Sequence, residues 1–447
     1  MQTSILPQLQ DDPDVQVSEQ VLRTCVHCGF CNATCPTYLL TGNELEGPRG
    51  RIYLIKSVLE GRIGPGQNGV VAHIDNCLGC LACETTCPSG VVFSRLLEEA
   101  RPRLDEMYRR PLADRFLRSL LIRLLPYPGR FRWAMRLGWL GRVAAPLMPR
   151  SLRHLIELAP TSAPARAPSA RTDSFPATFV PERPPMRRVA LLTGCVQEVM
   201  GAHINDATIR LLNRRGVDVV IPKGQGCCGA LTYHMGERRQ SLPLMARNIQ
   251  VWHDEIEHRA LDAIVLNTSG CATVVKEYGH IFRNDPVLAP KAAAVVERVR
   301  DVTEIVDEIG LGPTVEVPAL RVAYHDACSL QHGQQIRQPP RSLLTQAGFR
   351  ILEVPEGHIC CGSAGTYNLL RPRLANGLQQ RKVANIKRVE PQVVAAGNIG
   401  CIEQIARVVD VPVVHTAELL DWATGGPRPA GIDAALPSPP PEGQRSA

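Results

Sequence analysis

Residues 25–36 read CVHCGFCNATCP and residues 77–88 read CLGCLACETTCP. Each run has the spacing C-x2-C-x2-C-x3-C-P, and together they hold half of the 16 cysteines in a chain of 447 residues. The other eight fall into two further groups of four, Cys195, Cys227, Cys228, Cys271 and Cys328, Cys360, Cys361, Cys401, so none is left over. The N-terminus has no basic and apolar signal-peptide regions, and no stretch approaches 18 uncharged apolar residues. This predicts a cytoplasmic protein without a spanning helix, and there thiols serve metal or redox chemistry rather than disulfides.

The first two runs have the spacing in which bacterial ferredoxins hold [4Fe–4S] clusters. Three thiolates two residues apart wrap one cubane, and the Cys-Pro step is expected to break the helix and turn the fourth thiolate toward the other cluster. On that rule Cys25, Cys28, Cys31 and Cys87 hold one cluster, and Cys77, Cys80, Cys83 and Cys35 hold the second. Zinc sites, the competing use, usually pair C-x2-C with a distant second pair and seldom carry a third cysteine plus Cys-Pro. Between the runs lies GNELEGPRGRIYLIKSVLEGRI, with Ile52, Ile55, Val58 and Leu59 at helical spacing after a Gly-Pro turn. It predicts an all-helical ferredoxin module. Arg49 and Arg51 in this segment read equally as partners of an anionic cluster or as a solvated helix start.

The third and fourth cysteine groups repeat at offsets of 133, 133, 133 and 130 residues, and their flanks agree: QGCCGALTY is answered by HICCGSAGTY and LNTSGC by AGNIGC. Two copies of one unit are expected. RVALLTG, VDVVIP and AIVLNTS read as buried strands, with HINDATIRLLNRRG as a helix. RVAYHDA, RILEVP, VVAAGN and VPVVH repeat the layout. That pattern gives α/β units on largely parallel sheets, whose carboxyl ends build sites. Each foursome reads as a further metal or iron–sulfur centre, as a reactive dithiol or as buried structural thiols, the first being preferred. His234, His325, His332 and His358 lie near these sites and are read first as satisfied histidines, second as ligands or proton relays. Gly224, Gly226 and Gly229 match G-x-G-x-x-G only across the cysteine pair, and the second copy lacks the first two, so a nucleotide site is rejected.

Residues 101–157 carry 13 Arg against four acids, a local excess of +9 in a chain of net charge +7. Arginines alternate with Leu, Trp and Met in amphipathic helices broken at Pro126, Pro128 and Pro146. A layer packed on the ferredoxin module is preferred over peripheral contact with an anionic membrane, and no nucleic-acid module accompanies the charge. The expected organisation is an α-helical ferredoxin domain at 1–100 and a basic helical segment at 101–158. A Pro/Ala-rich linker at 159–186 leads to Cys-Cys-Gly α/β units at 187–318 and 319–424 and a disordered tail at 425–447.

The order of paired ferredoxin motifs followed by two Cys-Cys-Gly units resembles the family of heterodisulfide reductase, anaerobic glycerol-3-phosphate dehydrogenase and lactate-utilisation iron–sulfur proteins. TCVHCGFCNATCPTY, ELEGPRGRIYLIKSVLEG, CETTCPSGV, VKEYG and CCGSAGTY are most similar to its glycolate oxidase iron–sulfur branch. The resemblance implies FAD-binding partner subunits that oxidise glycolate to glyoxylate, with D-lactate as a side substrate. This chain would pass the electrons to a quinone or another membrane acceptor, on the inner face of the cytoplasmic membrane. Alternatives are the corresponding subunit of a lactate or glycerol-3-phosphate dehydrogenase, a heterodisulfide-type thiol–disulfide catalyst, and a zinc scaffold. No Rossmann fingerprint and no acid/base pair is present, so no catalytic residue is expected here. Members with a non-cubane cluster end the unit in C-x-x-C, whereas Val274 and Gln404 stand at those places, so that cluster is not carried over.

Overall fold

The structure is a computed structural model that describes residues 1–67, 69–141, 177–181 and 185–435. Most of the expected linker, the end of the basic segment and residues 436–447 lie outside it.

The N-terminal module is helical. The helix Pro13–Thr24 starts where Asp12 accepts hydrogen bonds from the Asp14 and Val15 amides at 2.9 and 3.4 Å. The helix Pro48–Leu59 buries Ile52, Ile55, Val58 and Leu59, and Arg51 with them. Gly50 is obligatory there, because a Cβ would stand 2.2 Å from the Glu44 carbonyl oxygen. These helices close on Leu22, Val70, Ile74, Leu96 and Leu97.

Three expectations need correction. The helix Phe93–Met107 runs through the predicted boundary at residue 100, so the first segment of basic helix belongs to the ferredoxin core through Leu104. Pro36 opens the helix Pro36–Thr41 rather than ending one, while Pro88 follows the helix Ala82–Thr86. Both preceding cysteines nevertheless share an extended backbone (ψ 117° and 115°), the conformation a following proline imposes. Finally, residues 425–435 fold. Ile432 is fully buried in the core beside Trp422, and Arg428 lies 5.7 Å from that indole.

The repeats form two sheets. In the first, β1 (Ala177–Phe179) pairs antiparallel with β3 (Val217–Ile221). β3, β2 (Arg187–Leu192), β4 (Ala263–Leu266) and β5 (Val299–Asp301) then run parallel, in the order β1-β3-β2-β4-β5. The second sheet is wholly parallel, in the order β7 (Arg350–Glu353), β6 (Arg321–His325), β8 (Val393–Ala396), β9 (Val413–His415). The order β3-β2-β4-β5 is thus repeated as β7-β6-β8-β9. β5 and β1 had no counterpart in the strands read from the first copy.

Alternation sets two faces per sheet. Val189, Leu191, Val219 and Val265 meet Val322, Tyr324, Val393 and Ala395 in one core between the copies. Ala190, Leu192 and Ile264 face the helices of the first copy, and Ala323, Val394 and Ala396 those of the second. Being buried on both sides explains the unbroken apolar runs.

Candidate cluster and paired-cysteine centres

The two cysteine runs fold into the same turn. His27 and Gly29 in the first, Gly79 and Leu81 in the second, all take positive φ between 60° and 89°. This curls the chain so that the His27 and Gly79 amides each donate to the thiol two residues earlier, at 3.4 Å. Cys25, Cys28, Cys31 and Cys87 line one cavity, with Cys83, Arg49 and Phe93 at its wall. Cys35, Cys77, Cys80 and Cys83 line a second, beside Arg51; Cys83, Pro48 and Phe93 border both.

All 16 cysteines are free thiols, and Cys28 alone is exposed. Burial and the neighbouring Cys25 and Cys87 sulfurs push the Cys31 thiol up to about 11, and burial likewise raises Cys80 and Cys83 well above the usual thiol range. Thiols so crowded ionise when a positive centre lies among them, so four sulfurs about each cavity fit a thiolate-ligated cluster.

Arg51 is not at a solvated helix start. It is 1% exposed, with Nη1 3.9 Å from Cys35 Sγ, Nη2 2.8 Å from Glu46 Oε2 and 3.1 Å from Thr37 Oγ1, and Nε donating to the His73 carbonyl at 2.7 Å. Glu46 also holds His73 Nδ1 at 2.7 Å and accepts from Asn76 at 2.9 Å. Arg49 instead pairs with Glu44 on a half-exposed rim.

The paired-cysteine loops follow the strand ends, and both copies open onto one cavity of about 340 Å³. Cys195, Cys228 and Cys271 line it from the first copy, and Cys328, Cys360, Cys361 and Cys401 from the second. Leu78 and Leu81 of the ferredoxin module and Leu125, Phe131 and Met135 of the basic helices close it. Cys80 packs with Cys360 and Cys328, so the second cluster motif abuts the second paired-cysteine site. In the first copy Cys195 Sγ lies 3.3 Å from Cys227 Sγ, and hydrogen bonds from Cys227 and then Cys271 hold Cys228 below the usual thiol range. In the second, Cys328 and Cys360 are 3.8 Å apart.

The Cys-Cys-Gly glycines have a local cause. Gly229 (φ 78°) and Gly362 (φ 89°) donate to Cys227 and Cys360 at 3.4 and 3.5 Å, and a Cβ on Gly362 would stand 2.4 Å from the Ala375 carbonyl oxygen. Gly362→Ala is therefore expected to destabilise the chain by about 3 kcal/mol or more, read as a lower denaturation midpoint at unchanged slope.

The histidines divide. His332 is satisfied, as Nδ1 meets Thr85 Oγ1 at 2.7 Å and Nε2 the His358 carbonyl at 3.1 Å. His234 lines the central cavity. His325 is 2% exposed with both ring nitrogens unpartnered, and burial, with the Lys382 ammonium nearby, holds its pKa down at about 3. Gln404 is spent on Asn368 at 3.1 Å, and Val274 is buried.

The family model of the 4Fe-4S dicluster domain matches residues 21–91, and that of the Cysteine-rich domain matches residues 189–276 and 322–406. Over 430 residues the chain is 38% identical to the Glycolate oxidase iron-sulfur subunit of Escherichia coli (strain K12), covering 95% of this chain and 99% of that one. The chain belongs to the family of glycolate oxidase iron–sulfur subunits. The Probable glycolate oxidase iron-sulfur subunit of Bacillus subtilis (strain 168) is 33% identical over 94% of this chain and 98% of its own length. Lactate utilization protein A of the same organism matches 52% of this chain at 27% identity. A solved structure, a hypothetical protein from Helicobacter pylori, shares the fold at a TM-score of 0.53 and 9% identity, over 95% of this chain and 75% of that one. The family thus joins a helical iron–sulfur module to two α/β cysteine-rich domains, the architecture described above.

Proposed function

We propose that this chain is the electron-transfer subunit of a glycolate-oxidising complex. It takes electrons from FAD-binding subunits that convert glycolate to glyoxylate and hands them to a quinone or another membrane acceptor. The observation that carries the reading is the row of cysteine centres: the cavity at exposed Cys28, the adjoining cavity that shares Cys83, then Cys328 and Cys360 packed on Cys80. Cys25, Cys28, Cys31 and Cys87 are assigned to one four-iron cluster, and Cys77, Cys80, Cys83 and Cys35 to the other. Such clusters, when bound, supply one-electron carriers. The chain's own residues set their surroundings, with Arg51 sealed at the second site and Arg49 on the half-exposed rim of the first. Cys28, flanked by the exposed Val26, Phe30 and Tyr53, gives the entry face.

Anaerobic titration of the complex from its own host tests this. Glycolate should bleach the cluster absorbance and raise the reduced-cluster EPR signal to the dithionite limit. Reduction by dithionite and D-lactate but not glycolate would move the chain to the lactate branch. No reduction by either acid would overturn the reading.

Peripheral membrane contact is part of the proposal. No helix among the described residues is long and apolar enough to cross a membrane. The helices Leu112–Leu124 and Pro128–Gly141 turn Leu121, Ile122 and Phe131 inward, and Arg118 reaches Asp75 at 3.2 Å, as a packed layer requires. Their outer side exposes Leu112, Phe116, Trp133, Leu137 and Leu140 among Arg115, Arg123 and Arg130. Basic residues around exposed aromatics suit an anionic lipid surface. The full chain should sediment with phosphatidylglycerol vesicles and not with phosphatidylcholine. Trp133→Ala combined with Leu137→Ala should weaken that binding roughly tenfold. Binding that ignores both lipid charge and this substitution would remove the membrane from the proposal.

A further inference from the structure

At the end of its first strand the second repeat carries a nitrogen donor where the first has none. At the 133-residue offset relating the cysteines, His325 at the end of β6 answers to Leu192 at the end of β2. Leu192 simply packs in the first copy's core. His325 is equally buried, yet neither Nδ1 nor Nε2 has a hydrogen-bond partner. An imidazole enclosed with both nitrogens unpartnered is costly, and native structures rarely keep one without a use.

Its surroundings supply the use. A ring nitrogen of His325 and the sulfurs of Cys361 and Cys401 all lie within 4.8 Å of one another, and all three side chains are buried. Bonds of about 2.0 Å to nitrogen and about 2.3 Å to sulfur place the donors of one tetrahedral ion roughly 3.3–3.8 Å apart. The trio therefore closes on a metal if donor separations of up to 4.8 Å shorten by about 1–1.5 Å at most. Asn398 Nδ2 donates to Cys401 Sγ at 3.4 Å, the kind of outer hydrogen bond that orients a thiolate ligand. Gln404 is already spent on Asn368 and competes for nothing here.

We propose that His325, Cys361 and Cys401 form a nitrogen–sulfur–sulfur site for a borderline-soft transition metal, with its fourth position open to the central cavity that Cys361 and Cys401 line. The inference rests on the reading of the second paired-cysteine unit as a metal centre and names its donors. It also makes the two copies unequal: among the described residues, a histidine and two cysteines converge in this way in the second only. A zinc ion and an iron of a cluster share this donor chemistry.

The test uses the full-length chain in its complex, purified anaerobically from its own host. Zinc and iron are counted by mass spectrometry for the wild type and for His325→Leu, which installs the first copy's residue. The expected result is metal beyond that of the two four-iron clusters, lost at least tenfold in His325→Leu while both ferredoxin EPR signals stay. X-ray absorption at the zinc edge distinguishes the sources: a nitrogen shell with two sulfurs means a zinc ion. Absence of zinc with a histidine nitrogen coupling on an additional EPR centre means cluster iron. Wild type with no metal beyond the two clusters overturns the proposal, as does extra metal that His325→Leu leaves in place. Should His325→Leu not fold, a wild-type extra metal bound by sulfur alone also overturns it. Loss of the ferredoxin signals in the wild type would instead strike the electron-transfer reading.

Discussion

Cys80→Ala should remove one four-iron cluster, keep the other, and stop acceptor reduction while the partner flavin is still reduced by substrate. Cys80 is the cysteine at which the second cluster cavity meets the paired-cysteine unit, packed on Ala82, Cys360 and Cys328. An alanine there takes away one thiolate of four, and sulfur ligation is the whole bonding of such a cluster to protein. Because Cys80 is buried, no solvent-exposed residue can take its place. Iron content should fall by about four atoms per chain, and the ferredoxin EPR of the reduced protein should show one cluster instead of two interacting ones. Cys28→Ala should do the same at the other cavity, but from the exposed end. Full acceptor turnover in either variant would mean that electrons bypass that cavity, and the row of centres would not be the route.

How much of this was legible beforehand depended on periodicity. The paired cysteine runs, the helix carrying Ile52, Ile55, Val58 and Leu59, and the strand runs at 217–222 and 393–398 all declare themselves, because burial on a regular element repeats every 3.6 or two residues or is continuous. The repeat offset likewise foretold that the two copies would share a strand order. What was hidden depends on contacts across the chain. Ile432 sits in a Gly/Pro-rich stretch with too little apolar sequence for a core of its own, yet it completes a core supplied by others. β5, only Val299–Asp301, is too short to signal. His325 looked like any strand-end histidine; its unpartnered nitrogens appear only when Cys361 and Cys401, distant in sequence, are folded beside it. The one available signal was the comparison of copies, where Leu answers His.

Arg51 shows the same limit with larger consequences. In sequence it stands between Gly50 and Ile52 at a helix start, where an arginine is usually solvated. Folding instead seals it against Glu46, Thr37, the His73 carbonyl and Cys35. Arg51→Met keeps the stem and removes the guanidinium. Glu46, 7% exposed, then keeps His73 and Asn76 but loses its guanidinium partner, and stability should fall by about 3 kcal/mol. The double change Arg51→Met with Glu46→Gln should recover much of that loss, since no buried charge is then left unpaired. The redox effect should recover in part, because Glu46→Gln takes away a negative charge beside the same site, though the guanidinium lies nearer Cys35 than the carboxylate does. A cation beside Cys35 favours the more negative, reduced state of a cluster held there, so its removal should lower the midpoint potential, on the order of 50–100 mV for one charge at this separation. Arg51→Lys should fall between the two, keeping charge while losing the forked hydrogen bonds. Potentiometric EPR on the complex reads this directly. An unchanged potential in Arg51→Met would reduce Arg51 to a packing residue. A downward shift in Arg51→Met that Arg51→Lys largely restores identifies it as the charge that sets the second cluster apart from the first.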